Sequence, residues 1–185
     1  MYFVDGTNLL RRISDVTGLN FRADKPPEEA LNLARGLISH GGRAFNRSNS
    51  LVIREYWFAS YQGNDEQETK ISSSLRHHRF EPILFKKQQG REKGVDIALT
   101  KEMLVNAFNQ NYDIGFLIAG DEDYLGVVSE VKRYGPRVFG AFFENGLSTR
   151  LKLAFDEFFP MPSKIATIQN LNKAYQALEH ALSVP

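Results

Sequence analysis

Hydrophobic positions along this chain follow two rhythms. Short apolar runs alternate with longer segments in which apolar residues recur every three or four positions. That alternation is the pattern of βαβ units, which build a mainly parallel sheet covered by helices. The runs predict strands at Tyr2–Val4, Leu51–Ala59, Phe80–Phe85, Ile114–Ile118 and Arg137–Phe143. Between them, Pro26-Pro27-Glu28-Glu29 opens a helix with Pro and acids in its first turn, and Gly41-Gly42 lies near its end. Further helices are predicted over Asp65–His78, Val95–Phe108 and Tyr124–Tyr134, the last stopped by Gly135-Pro136. The expected fold class is α/β, with a central sheet of about five strands.

Toward the carboxyl end the pattern changes. Phe158-Phe159-Pro160-Met161-Pro162 closes the core pattern, after which Ile165, Ile168, Leu171, Tyr175, Leu178 and Leu182 mark one face of a helix. The chain therefore reads as one domain over 1–160 followed by an amphipathic helix over 163–185. That apolar stripe packs either on the domain's own sheet or in a homodimer seam.

Composition narrows the chemistry. At 185 residues, 42% hydrophobic and 24% charged, the chain suits a single soluble domain. It has no Cys, which removes disulfide scaffolds, thiolate zinc sites, iron–sulfur clusters and Cys nucleophiles together. No apolar run approaches the roughly 18 residues of a membrane span, and Met1-Tyr2-Phe3-Val4-Asp5 lacks a secretory layout, so a cytoplasmic location and no membrane partner are expected. Net charge is +1, but charge is segregated. Leu31 to Arg54 carries Arg35, Arg43, Arg47 and Arg54 with no acid; Arg76 to Lys93 carries six cations against Glu81 and Glu92. These stretches form either a basic surface or a solvated helix face and loop.

The acids fall at informative places. In a parallel α/β sheet, ligands bind beyond the carboxyl ends of the strands. Asp5 ends the first strand, Asp121 and Asp123 follow the fourth, and Asp96 opens the third predicted helix. If the first and fourth strands are neighbours, these carboxylates share one crevice. Each also has a local explanation, since Asp5, Asp96 and Asp123 all stand where helix or turn caps occur. Clustered carboxylates repel unless a cation compensates them, and oxygen donors without His favour Mg²⁺ or Mn²⁺ over zinc.

Three segments together, Phe3-Val4-Asp5-Gly6-Thr7-Asn8-Leu9, Lys93-Gly94-Val95-Asp96-Ile97-Ala98-Leu99 and Ile118-Ala119-Gly120-Asp121-Glu122-Asp123-Tyr124, with Val131-Lys132-Arg133-Tyr134-Gly135 after them, resemble an NYN domain of the LabA-like type. The resemblance spans about Met1 to Phe159. It implies a PIN-like, Rossmann-like three-layer sandwich and hydrolysis of RNA phosphodiesters with a divalent metal. It assigns the catalytic and metal-holding positions to Asp5, Asp96, Asp121 and Asp123, with Asn8 as the polar residue after the first acid. Glu102 is a weaker candidate, standing where an Asp is common. Glu122 departs from the family pattern, in which a small residue is more typical.

The expected activity is thus a metal-dependent ribonuclease using Mg²⁺ or Mn²⁺ in one- or two-ion chemistry. Asn8 is expected to donate to a carboxylate or phosphate oxygen, or to stabilise the helix start. Lys86, Lys87, Arg91 and Lys93 are expected to hold the phosphates of RNA, in single-stranded form. Tyr56, Trp57, Phe58 and Tyr61 are expected mostly in the core. A dehalogenase-type phosphatase needs a second Asp at the position held by Thr7, and a receiver domain needs an acid where Phe85-Lys86-Lys87 stands. The alternative from another class is a PIN-like module that binds RNA with little or no turnover.

Overall fold

The structure is a computed structural model that describes residues 1–45, 54–87, 94–164, 166–170, 173 and 177, the side chains of 40–45 excepted. Six strands alternate with helices in the order β1 (Tyr2–Asp5), α1 (Gly6–Thr17), α2 (Glu28–Phe45), β2 (Glu55–Tyr61), α3 (Asp65–His77), β3 (Glu81–Lys86), α4 (Val95–Phe108), β4 (Ile114–Ile118), α5 (Leu125–Arg133), β5 (Arg137–Phe142), α6 (Thr149–Ala154) and β6 (Glu157–Pro160). A 3-10 turn, Glu122–Tyr124, precedes α5.

All six strands are parallel, in the spatial order β3-β2-β1-β4-β5-β6. The chain winds outward from β1 to β3, crosses back through α4, and lays β4 on the other side of β1, with Val4 beside Ile118. The reversal opens a crevice at the carboxyl ends of β1 and β4.

Strand periodicity divides the core. Tyr2, Val4, Trp57, Phe116 and Ile118 point to one face, packed with Leu9 and Ile13 of α1, Leu31 and Leu37 of α2 and Leu75 of α3. Phe3, Tyr56, Phe58 and Leu117 point to the other, against Leu99 and Met103 of α4, Val128 of α5 and Leu151 of α6. Such strands, buried on both faces, read as continuous apolar runs, which is why they stand out in the sequence. The expected aromatic core holds: Tyr56, Trp57, Phe58 and Tyr61 are all buried. Trp57 packs on Phe80 with ring centroids 4.9 Å apart, and truncating it to Ala would cost about 3–5 kcal/mol.

The sheet has one strand more than expected. β6 pairs Phe139 with Glu157 and Phe142 with Pro160 at the sheet edge, where a proline is tolerated because its missing N–H faces no further strand. Predicted residues Leu51–Ile53 of the second strand lie outside the described residues, as do Ile165, Leu171, Tyr175, Leu178 and Leu182 of the terminal stripe. Ile168 is buried within the first core cluster. Among the described residues, no helix is long and apolar enough to cross a membrane.

Candidate active site

Asp5 is both the last residue of β1 and the N-cap of α1. Its Oδ1 accepts the Asn8 backbone N–H at 2.9 Å, and its Oδ2 accepts the Tyr124 hydroxyl at 2.8 Å. Cap and site residue are therefore one and the same. Thr7 fixes the next turn of chain, its hydroxyl oxygen accepting the Ser60 N–H at 3.1 Å.

Asn8 makes a contact beyond those expected of it. Its side-chain oxygen accepts the Gly120 N–H at 3.1 Å, stitching the start of α1 to the loop after β4. Glycine is required at 120 because a Cβ there would lie 2.4 Å from the Phe142 ring and 2.5 Å from the Gly146 carbonyl oxygen.

Asp121 caps the 3-10 turn, its Oδ1 accepting the Asp123 N–H at 3.1 Å, so Asp123 sits inside that turn and does not cap α5. Asp96 lies in the first turn of α4 but is not its cap. That place belongs to Gly94, at φ +93°, a left-handed conformation that glycine adopts without a Cβ penalty.

Asp5, Asn8, Asp96, Asp121 and Asp123 all line one pocket of about 220 Å³, together with Arg11 and Tyr124. Asp5 is 9% exposed, whereas Asp96, Asp121 and Asp123 face solvent. Burial raises the Tyr124 pKa most; the charge and hydrogen bond of Asp5 add to it, as do the charges of Asp96 and Asp121. Three carboxylates thus bear on one phenol, which stays a donor at any physiological pH.

Sequence reasoning missed Arg11 and Tyr124. Arg11 follows Asn8 by three residues, a spacing that shares a helix face. Tyr124 reaches Asp5 across 119 positions, which no local pattern reveals. Two further acids stand outside the pocket wall. Glu122 accepts Ser148 Oγ at 2.8 Å and Arg150 Nη1 at 2.6 Å, and these contacts hold it below the usual carboxylate range. Glu102 accepts the Asn106 side-chain amide at 2.8 Å.

The expected phosphate-holding cations separate. Lys86 is exposed at the end of β3. Lys87 is in a different situation: its side chain is 14% exposed and its Nζ lies 2.8 Å from buried Asp24, which Arg22 also grips at 2.9 Å. Arg91 and Lys93 lie outside the described residues. In the earlier basic stretch, Arg35 is buried, paired with Glu55 and 5.1 Å from the Phe80 ring centroid. Arg54 is exposed beside Tyr56, while the Arg43 side chain and Arg47 lie outside the described residues.

The donor set suits a hard divalent cation in kind, being four carboxylates and no imidazole. It does not form a closed ligand shell: among the described residues, no three His, Asp or Glu side chains stand close enough together to hold one ion. The four acids nevertheless line one pocket at the carboxyl ends of β1 and β4. They ring the pocket, and Asp5 is fixed by its cap and by Tyr124.

Comparison with known proteins agrees with this architecture. A solved structure from Vibrio parahaemolyticus RIMD 2210633, a protein of unknown function, is similar to this chain with a TM-score of 0.59 and 20% identity, over 87% of this chain and 91% of that one. At that identity the likeness speaks for the fold alone. No curated protein matches the chain. Residues 1–164 match the NYN domain. The chain therefore belongs to the NYN domain family, a family of PIN-like nucleases.

Proposed function

We propose that this protein is a metal-dependent ribonuclease that hydrolyses phosphodiester bonds of single-stranded RNA. One observation carries the reading: four carboxylates from three separate chain segments line a single pocket at the switch point of an NYN fold. Asp5, Asp96, Asp121 and Asp123 would hold Mg²⁺ or Mn²⁺. Such an ion supplies charge neutralisation at the phosphate and makes water a better nucleophile near neutral pH.

The chain's own groups divide the remaining work. The Tyr124 hydroxyl and the Asn8 N–H hold the Asp5 carboxylate in one orientation. Asn8 keeps the β1 and β4 loops in register. Arg11, on the pocket wall, supplies positive charge toward a phosphate oxygen, and exposed Lys86 offers a contact for the flanking backbone. A second reading is an RNA-binding module with little turnover, favoured by the lack, among the described residues, of three acidic or imidazole side chains grouped to hold one ion.

A labelled single-stranded RNA incubated with Mg²⁺ or Mn²⁺, with chelator, and with Asp5→Asn decides between them. Ion-dependent cleavage that vanishes in the variant supports the ribonuclease. RNA that binds but is not cut under any ion supports the module.

A further inference from the structure

A second concavity adjoins the acidic pocket and shares three of its residues. Asp96, Asp123 and Tyr124 belong to both, and the second, of about 480 Å³, continues along α4 past Ile97, Lys101, Leu104 and Val105. Its character is the opposite of the first, apolar where the pocket is ionic. Of the five large apolar side chains exposed among the described residues, four lie along this face: Ile97 at 69%, Val105 at 44%, Phe108 at 69% and Tyr134 at 43%. Phe108 and Tyr134 extend the face beyond the groove, their rings meeting edge to face at 5.9 Å. Exposed apolar surface concentrated in this way marks a binding face.

Resting on the ribonuclease reading, we propose that this groove seats the unpaired bases of the RNA strand whose phosphate occupies the acidic pocket. A single strand has the chemistry both concavities require, with ionic phosphates and flat apolar bases alternating along it. Continuity selects the occupant. A second copy of this chain docked on Ile97 and Val105 would lie over Asp96 and Asp123 and close the pocket, whereas a strand whose phosphate sits in the pocket can continue past Asp96 and Asp123 into the groove. Lys101 adds a cation at the groove, and among the described residues no acid pairs with it. A duplex does not fit this arrangement, because its bases are stacked inward.

The test uses the full chain carrying Ile97→Ser and Val105→Ser. Both side chains are exposed, and an unchanged melting temperature verifies the fold. Fluorescence anisotropy, with Ca²⁺ replacing Mg²⁺, compares a labelled single strand of about ten nucleotides with an abasic strand of the same length. The expected result is a roughly five- to tenfold loss of affinity for the intact strand, equivalent to one weakened base contact, and no change for the abasic one. Equal affinity of the wild type and the double variant for the intact strand would overturn the proposal. So would an equal loss on both strands, or a wild-type dimer that the variant turns monomeric without change in RNA binding. A wild-type protein that neither binds nor cuts RNA would overturn the ribonuclease reading and the groove with it, whereas normal cutting and binding by the variant would overturn the groove alone.

Discussion

Two buried aspartates, Asp5 and Asp24, lie at the same end of one sheet and sit in different surroundings. Asp24, beyond the ends of β2 and β3, is 5% exposed and clamped between Arg22 and Lys87. Burial pushes its pKa up, but the hydrogen bonds and charges of Arg22 and Lys87 prevail and bring it down to about 2. Asp5, the last residue of β1, accepts an amide N–H and a phenol, and its neighbours Asp96, Asp121 and Asp123 are exposed and without ion pairs among the described residues. A neutralised carboxylate holds two loops together. Exposed carboxylates such as Asp96, Asp121 and Asp123, grouped at one rim, are costly to the fold and available for chemistry.

The comparison breaks most sharply under substitution of the site acids. Asp5→Asn and Asp121→Asn should each lower the rate of RNA cleavage by roughly 10²–10³-fold, the scale seen when one electrostatic stabiliser is lost. Asp121→Asn should leave the melting temperature unchanged or slightly higher, since it removes one repelling charge. Single-turnover cleavage and calorimetry on the same preparation check both halves.

The opposite outcome is expected at the paired aspartate. Asp24→Asn should destabilise by about 2 kcal/mol, below the 3–5 of a fully buried pair because Arg22 is largely exposed. Its melting temperature should fall by about 5 °C while single-turnover cleavage stays at the wild-type rate. Equal losses of stability from Asp24→Asn and Asp121→Asn would erase the distinction.

Acid titration sharpens it further. Because the Asp24 pKa is depressed in the folded state, its contribution is complete above the ordinary carboxylate pKa near 4 and is lost as pH falls through about 2. Over that window the unfolded chain binds more protons, so stability drops as pH falls. Denaturant melts should show a shallower drop for Asp24→Asn than for the wild type.

The smallest effect concerns Lys86. As an exposed cation at the end of β3, it should contribute about one phosphate contact, and Lys86→Gln should reduce the salt slope of RNA binding by about 0.7. Lys87→Gln should act instead through stability, because its charge is already matched by Asp24.

The same contrast explains what was legible in the sequence. β1 and β4 stand out because burial on both sheet faces makes their apolar runs continuous, and Asp5 and Asp121 stand out because strand exits are visible in one dimension. β6 was not visible: Pro160 and Pro162 read as an end of structure, and only an edge position in three dimensions makes Glu157–Pro160 a strand. Nor was the partner of any buried charge. Lys87 lies 63 positions from Asp24, so a cation that reads as free from its neighbours in sequence is in fact engaged. Asp96 and Asp123 gave ambiguous signals because a cap and a ligand favour the same residue type at the same place.

The central claim is that Asp96, Asp121 and Asp123 stand exposed beside Asp5 in the β1–β4 crevice to receive a divalent ion. A Mn²⁺ titration followed by electron paramagnetic resonance tests it most directly, on the wild type, Asp121→Asn and Asp24→Asn in parallel. The account predicts that Mn²⁺ binds the wild type and Asp24→Asn alike and binds Asp121→Asn at least tenfold more weakly, on the scale of 10–100-fold for groups that support a metal. Equal Mn²⁺ affinity in all three proteins, or none in the wild type, would contradict it.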